Sequence, residues 1–167
     1  MLRIATPSDL ESVCELYRAA CEAMEQSGLD FWHWSDYPSE TIIAHDIEQG
    51  WCYLWEEGGA ILGAVCVNES QPADHAGIPW SYPGKAGHFQ RVAVAPQSQG
   101  QGIARKMLTA VEDVLRARGC AVIHGDVFFR NERALRLYDR LGMRHAGSFP
   151  VNWSALPGYA IALEKQL

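Results

Sequence analysis

VAVAPQSQGQGIARKML, Val92 to Leu108, changes character half-way along. Its start reads as a strand and its end as an amphipathic helix, and the join holds Gln97, Gln99 and Gln101 with Gly100 and Gly102. The first amides of a helix have no partner within it, and the helix dipole favours negative charge at that end. Gly100 and Gly102 carry no Cβ, so a phosphate can approach the backbone closely, while neutral glutamines add donors without forcing an ion pair. The join reads as an anion cradle. It is not a P-loop, because no Lys-Ser or Lys-Thr pair follows, and Arg105 stands where a dinucleotide fingerprint needs its third glycine.

Outward from this join, HFQRVAV gives the preceding strand, and Ile103, Met107, Leu108, Val111, Val114 and Leu115 mark a helix from about Gly100 to Arg118. AVIHGDV is another strand. NERALRLYDRLG is a short helix capped by Asn131 and closed by Gly142. Upstream, LRIATPSDL reads as a strand and a helix start, with Thr6 or Ser8 as cap and Pro7 in the first turn. Leu10, Val13, Cys14, Tyr17, Ala20, Cys21 and Met24 continue that helix, and Ser39 caps a second one through Ile42, Ile43 and Ile47. Two apolar runs around Glu57-Gly58-Gly59 signal a hairpin. Residues 70–87, rich in proline and glycine, read as a long surface loop, and RHAGSF with YAIALE as a closing pair of strands. The order is mixed α/β in one domain, residues 1–167.

Bulk composition narrows the function. A chain of 167 residues, 48% hydrophobic and 20% charged, can bury a sizeable core. A net charge of −6 argues against a nucleic-acid partner, which usually needs a basic face. No apolar run approaches the ~20 residues that span a bilayer, and Met1-Leu2-Arg3-Ile4 begins no signal peptide, so a soluble cytoplasmic protein with no membrane partner is expected. Cys14, Cys21, Cys52, Cys66 and Cys120 sit among apolar neighbours with no C-x-x-C pair, which reads as buried free thiols. The six histidines show no metal-ligand spacing, so no metal is expected.

Q-x-x-G-x-G after a VAV-x-P strand resembles the pyrophosphate loop of the GNAT family of acetyl-CoA-dependent N-acetyltransferases. RNERALRLYDRLGM resembles that family's N-x-x-A-x-x-L-Y-x-x-x-G-F segment through Asn131, Ala134, Leu137, Tyr138 and Gly142, with Met143 in place of the usual Phe. The likeness is strong over residues 88–147. It implies a GNAT-like α/β (α+β) fold, a mixed, mostly antiparallel central sheet flanked by helices and splayed between its fourth and fifth strands, where acetyl-CoA enters as co-substrate. It further implies that amides of Gln99, Gly100, Gln101, Gly102, Ile103 and Ala104 hold the pyrophosphate, that Val92, Ala93 and Val94 pair with the pantetheine arm, and that Asn131 bonds that arm or its nearby backbone. Helical spacing agrees on one point, since Asn131, Ala134 and Tyr138 share a stripe (i, i+3, i+7). Asn131 also reads as a plain N-cap, and Tyr138 as core.

Aminolysis of a thioester needs a neutral amine, a place for the oxyanion and a proton for the thiolate. Alkyl amines titrate near ~10.4, so something must accept a proton. Backbone donors near Val94 suit the oxyanion, and Tyr138 suits the sulfur. For the base, His88 shares one strand face with Gln90, Val92 and Val94 if side chains alternate, and an imidazole near ~6.5 suits the task; Asp126 in HGDV and a water are the competitors. FWHWSDYP, residues 31–38, supplies aromatic walls through Trp34 and Tyr37, with Asp30, Asp36 and Asp126 as carboxylates for an ammonium group, or else simply closes the core. The expected acceptor is a small-molecule or peptide amine; the rival class is a non-catalytic acyl-CoA-binding sensor. Edge strands near the C-terminus leave room for a homodimer.

Overall fold

In a computed structural model, which describes residues 1–29, 31–151 and 158–167, the periodic apolar stripes become helices and the alternating runs become one sheet. Helix α1 (Leu10–Gln26) turns Val13, Leu16, Tyr17 and Ala20 inward. Helix α2 (Glu40–Glu48) starts where the Ser39 hydroxyl accepts from the Ile42 amide, and it buries Ile43 and Ile47. Helix α3 (Ile103–Ala117) buries Met107, Leu108, Val111 and Leu115. Helix α4 (Glu132–Arg140) starts at Asn131, whose Oδ1 accepts from the Ala134 amide at 3.1 Å.

The strands are β1 (Leu2–Ile4), β2 (Cys52–Glu57), β3 (Ala60–Asn68), β4 (Ala86–Val94), β5 (Val122–Phe128), β6 (Arg144–Val151) and β7 (Gly158–Gln166), in the spatial order β1-β2-β3-β4-β5-β7-β6. Every neighbouring pair is antiparallel except β4 and β5. That one parallel pair needs a crossover, and α3 supplies it. The mixed, mostly antiparallel sheet flanked by helices matches expectation.

Two apolar layers hold the helices to the sheet. On one face Val13, Leu16 and Tyr17 of α1 meet Ile43 and Ile47 of α2 with Leu54 and Ala64 of the sheet. On the other, Met107, Val111 and Leu115 of α3 meet Val65, Val67, Phe89 and Ile123, joined by Tyr138 of α4. Each large side chain buried this way is worth about 1.5–3 kcal/mol. All five cysteines are buried free thiols.

The segment before β4 is a largely exposed loop, as expected, but it does not lie wholly on the surface. Its 3₁₀ turn, Ala73–His75, puts the His75 ring into the interior, and Trp80 stacks on His124 with ring centroids 3.7 Å apart. The polar punctuation that marked a loop was real, but the aromatic groups within it find cover over the end of the sheet.

Candidate active site

β4 and β5 pair only from Ala86–His88 to Val122–His124. Beyond that point the Phe89 ring lies over Gly125, where an added Cβ would come within 2.3 Å of it. The strands part, and a cavity of about 900 Å³ opens between them. Val92, Ala93 and Val94 border it on the β4 side, with Asp126, Val127 and Phe128 on the β5 side. Ala95 donates to Leu62 of the β3 side, so by alternation the peptide groups of Val94 face the split; there its carbonyl accepts from Gln99 Nε2 at 3.2 Å.

The glycine-rich join forms one end of the cavity, through Gln99, Gly100, Gly102, Ile103 and Ala104. Gly100 and Gly102 have φ of 82° and 78°, and Gly102 is the N-cap of α3 with no side chain capping the first amides. Uncapped N–H groups at a helix start suit an anion. A Cβ at either position would meet no protein atom within 4 Å, so the positive φ is what favours glycine within the chain, and the space in front of both positions is open. Gln101 is exposed, lies outside the cavity lining, and its side chain donates to the Gln97 carbonyl at 3.1 Å. Gln99 Oε1 accepts from Arg133 at 2.6 Å. Asn131 caps α4 and also lines the cavity.

The shared strand face does not survive. Ala93 pairs with Ala64 and Gln90 with Cys66, so β4 carries one residue more than β3, and Arg91 takes it up at φ 52°. This bulge reverses the alternation. Phe89 and Val92 face the α3 layer and Ala93 the α1 layer, while His88 and Gln90 do not share a face with Val92 and Val94. Arg91 is held by Asp46 through contacts of 2.6 and 2.8 Å, and it donates to the Tyr37 hydroxyl at 3.2 Å. The Arg91 carbonyl accepts from Tyr17 at 2.6 Å.

A family model described as the acetyltransferase (GNAT) family matches residues 10–143. The chain belongs to the GNAT acetyltransferase family. Solved structures agree in fold. A GNAT-family acetyltransferase of Streptococcus agalactiae superposes with a TM-score of 0.84 at 22% identity, covering 100% of this chain and 95% of that one. A putative acetyltransferase of Salmonella typhimurium, solved with acetyl-CoA, gives 0.74 at 20% identity over 100% and 93%. The ribosomal-protein-S18-alanine N-acetyltransferase of Escherichia coli gives 0.70 at 20% identity over 99% and 92%.

Within this GNAT chain, not every residue picked from sequence reaches the cavity. Tyr138 does: its ring is buried beside Phe89 at 5.4 Å, and burial, then the Asp126 charge, push its phenol above the usual range, which keeps it a proton donor. Tyr37 and Asp126 line the cavity too. His88 does not. It is buried beneath His75 and His124, outside the lining, and burial together with the charges of those neighbours lowers it to about 4. An imidazole so placed is a poor acceptor for a substrate proton. Trp34 does not line the cavity either: beside the turn at Ser35, φ 80°, it packs half-buried against the α1-side core with the Arg18 guanidinium over its ring at 5.2 Å. Trp32 takes its place in the cavity wall. Asp30 lies outside the described residues.

The residue that sequence reading missed is His75. Its Nε2 stands 3.0 Å from Asp126 Oδ2, and both residues line the cavity. Only its loop placement hid it; a histidine inside a run of prolines and glycines gave no periodic signal.

Proposed function

We propose that the protein is an acetyl-CoA-dependent N-acetyltransferase, moving the acetyl group to a primary amine of a small molecule or peptide by direct attack in a ternary complex. One observation carries the reading: a single cavity runs from the uncapped amides of α3, along the open edge of β4, to Tyr138 and Asp126. Residues for an anion, for an extended arm and for proton transfer thus border the same space. The Salmonella relative solved with acetyl-CoA supports the choice of co-substrate.

The fit to coenzyme A rests on donors. Gly100, Gly102, Ile103 and Ala104 would hold the pyrophosphate through backbone N–H groups, with Arg105 and Arg133 of the same lining adding positive charge. Val92 to Val94 would pair with the pantetheine arm as an extra strand would. Acetyl-CoA supplies an activated thioester. Tyr138 holds a proton for the departing sulfur, and Asp126 offers a carboxylate to the incoming ammonium. The rival sensor reading gains nothing from a phenol kept protonated at this point. Five unpaired thiols fit a reducing compartment, the cytoplasm.

Isothermal titration tests the reading at its first step: acetyl-CoA binds, NADH and ATP do not, and thiol release follows when amines are added. Binding of NADH or ATP in its place would overturn it.

A further inference from the structure

The acceptor end of the cavity is walled by rings. Phe31, Trp32, Tyr37, Phe128 and Phe149 all line it. Four of them touch in series, Phe31 on Phe128 at 5.0 Å, Phe31 on Trp32 at 6.1 Å and Trp32 on Tyr37 at 6.4 Å, while Phe149 packs on His75 at 5.3 Å. Charge at this end is sparse. Arg91 is already bound by Asp46 through Nε and Nη2. Asp74 is exposed on the loop before His75. Asp126 is therefore the one sheltered carboxylate among the described lining residues, with 21% of its side chain accessible.

Asp126 is also held in place. His75 Nε2 bonds Oδ2 at 3.0 Å, and among the described residues no bond to Oδ1 is seen, while Asp126 itself borders the cavity. The His75 ring is 1% exposed and packed against Trp80, His88 and Phe149 at 5.3–5.9 Å. Behind it lies a polar cluster. The buried side-chain atoms lacking a partner among the described residues are His75 Nδ1, Trp80 Nε1, His88 Nδ1, both His124 nitrogens and Glu164 Oε1. These groups make the surroundings of the His75–Asp126 pair polar on the side away from the ring wall.

We propose that the acceptor is a primary monoamine carried on an aromatic body, its ammonium received and deprotonated by Asp126, with His75 as the positioning residue for that carboxylate. A flat apolar body gains from the ring wall, and the cation gains from both the carboxylate and the ring faces. Polyamines would find no second sheltered carboxylate among the described residues, and sugars would leave hydroxyls unpaired against rings. One N–H bond of the ammonium breaks and an O–H bond forms at Asp126 Oδ1. The freed nitrogen pair forms the amide C–N bond as the thioester C–S bond breaks. Tyr138 gives its proton to sulfur and regains one from the attacking nitrogen, and Asp126 releases its proton to solvent. One proton leaves per turnover, which balances the reaction.

This inference rests on the N-acetyltransferase reading, and one amine panel separates the two. With acetyl-CoA, 2-phenylethylamine and tryptamine are expected to exceed spermidine, cadaverine, glucosamine and a lysine peptide in kcat/KM by about tenfold or more. Faster turnover of any of the latter overturns the acceptor class and leaves the N-acetyltransferase reading standing. No turnover with any amine sinks both. Asp126→Asn is expected to lower kcat/KM for the amine by about 10²-fold with acetyl-CoA affinity unchanged. His75→Leu is expected to raise the amine KM and shift the pH profile, with His75→Gln, which keeps an N–H donor, recovering most of both. Equal activity of Leu and Gln variants would mean that His75 is packing alone, and wild-type rates in Asp126→Asn would remove the carboxylate from the chemistry.

Discussion

Arg91 Nη2 stands 2.6 Å from Asp46 Oδ2, tying the bulge of β4 to α2 where neither side chain is more than 9% exposed. The pair fixes the residue that reverses strand alternation and thereby opens the edge of β4. Asp46→Ala leaves a buried guanidinium without its carboxylate and is expected to cost about 3–5 kcal/mol. Equilibrium urea unfolding measures it. Adding Arg91→Met should cost less than the two single losses combined, because the second change removes the stranded charge; strict additivity would show that the two groups do not act as a pair.

The loop glycines make a sharper test, because conformation and clearance predict different things. Gly102→Val meets no neighbour, but it forces a β-branched residue into φ 78° at the start of α3. The expected penalty is about 1–2 kcal/mol of stability and a loss of acetyl-CoA affinity of about tenfold or more, since the α3 amides turn away. Gly119→Val, at φ 75° beyond the far end of α3, should cost similar stability and leave affinity intact. Equal affinity of the two variants would dissociate the loop from coenzyme binding.

These contrasts explain what could be read from residue order. The join at 97–102 and the Asn131–Tyr138 stripe are local patterns, so the Asn131 cap, the two helices and the shared stripe are legible from spacing, whereas their place beside a coenzyme site comes from the family resemblance. The bulge did not, because a left-handed arginine is held by Asp46, which lies 45 residues away in sequence. His75 reaches Asp126 across 51 residues, and its loop shows no periodicity to flag it. Trp34 and Trp32 share a parity, so alternation alone could not separate them; their tertiary neighbours do, Arg18 over Trp34 and the cavity beside Trp32. Long-range pairings of this kind decide the acceptor end, whereas short-range ones decide the coenzyme end.

Acid should weaken the fold before the carboxylates titrate. Burial, then neighbouring histidine charge, lowers His88 to about 4; burial lowers His124 to about 4 against a smaller opposing pull from Glu164. Both groups titrate near ~6.5 when unfolded, so the unfolded chain binds more protons between those values. Their contribution is present in full above pH ~6.5 and is lost as pH falls toward ~4. The midpoint temperature is expected to drop by on the order of 10 °C between pH 7 and 4.5. His124→Gln should flatten that slope in a calorimetric pH series, and an unchanged slope would contradict the assignment.

Tyr138→Phe separates proton donation from packing. The ring lies against Phe89 and within the α3 layer, and phenylalanine keeps those contacts. Only the hydroxyl at the cavity is lost. Thiolates depart fairly well without help, so the expected fall in kcat is at the low end of general-acid effects, about 10²-fold. KM for acetyl-CoA should hardly move, because the pyrophosphate donors lie on the loop before α3. One further readout sharpens the outcome: the midpoint temperature should stay within about 2 °C of wild type, as expected for a change near 0.5 kcal/mol. An unaltered rate would assign the proton on sulfur to solvent and leave Tyr138 as part of the wall.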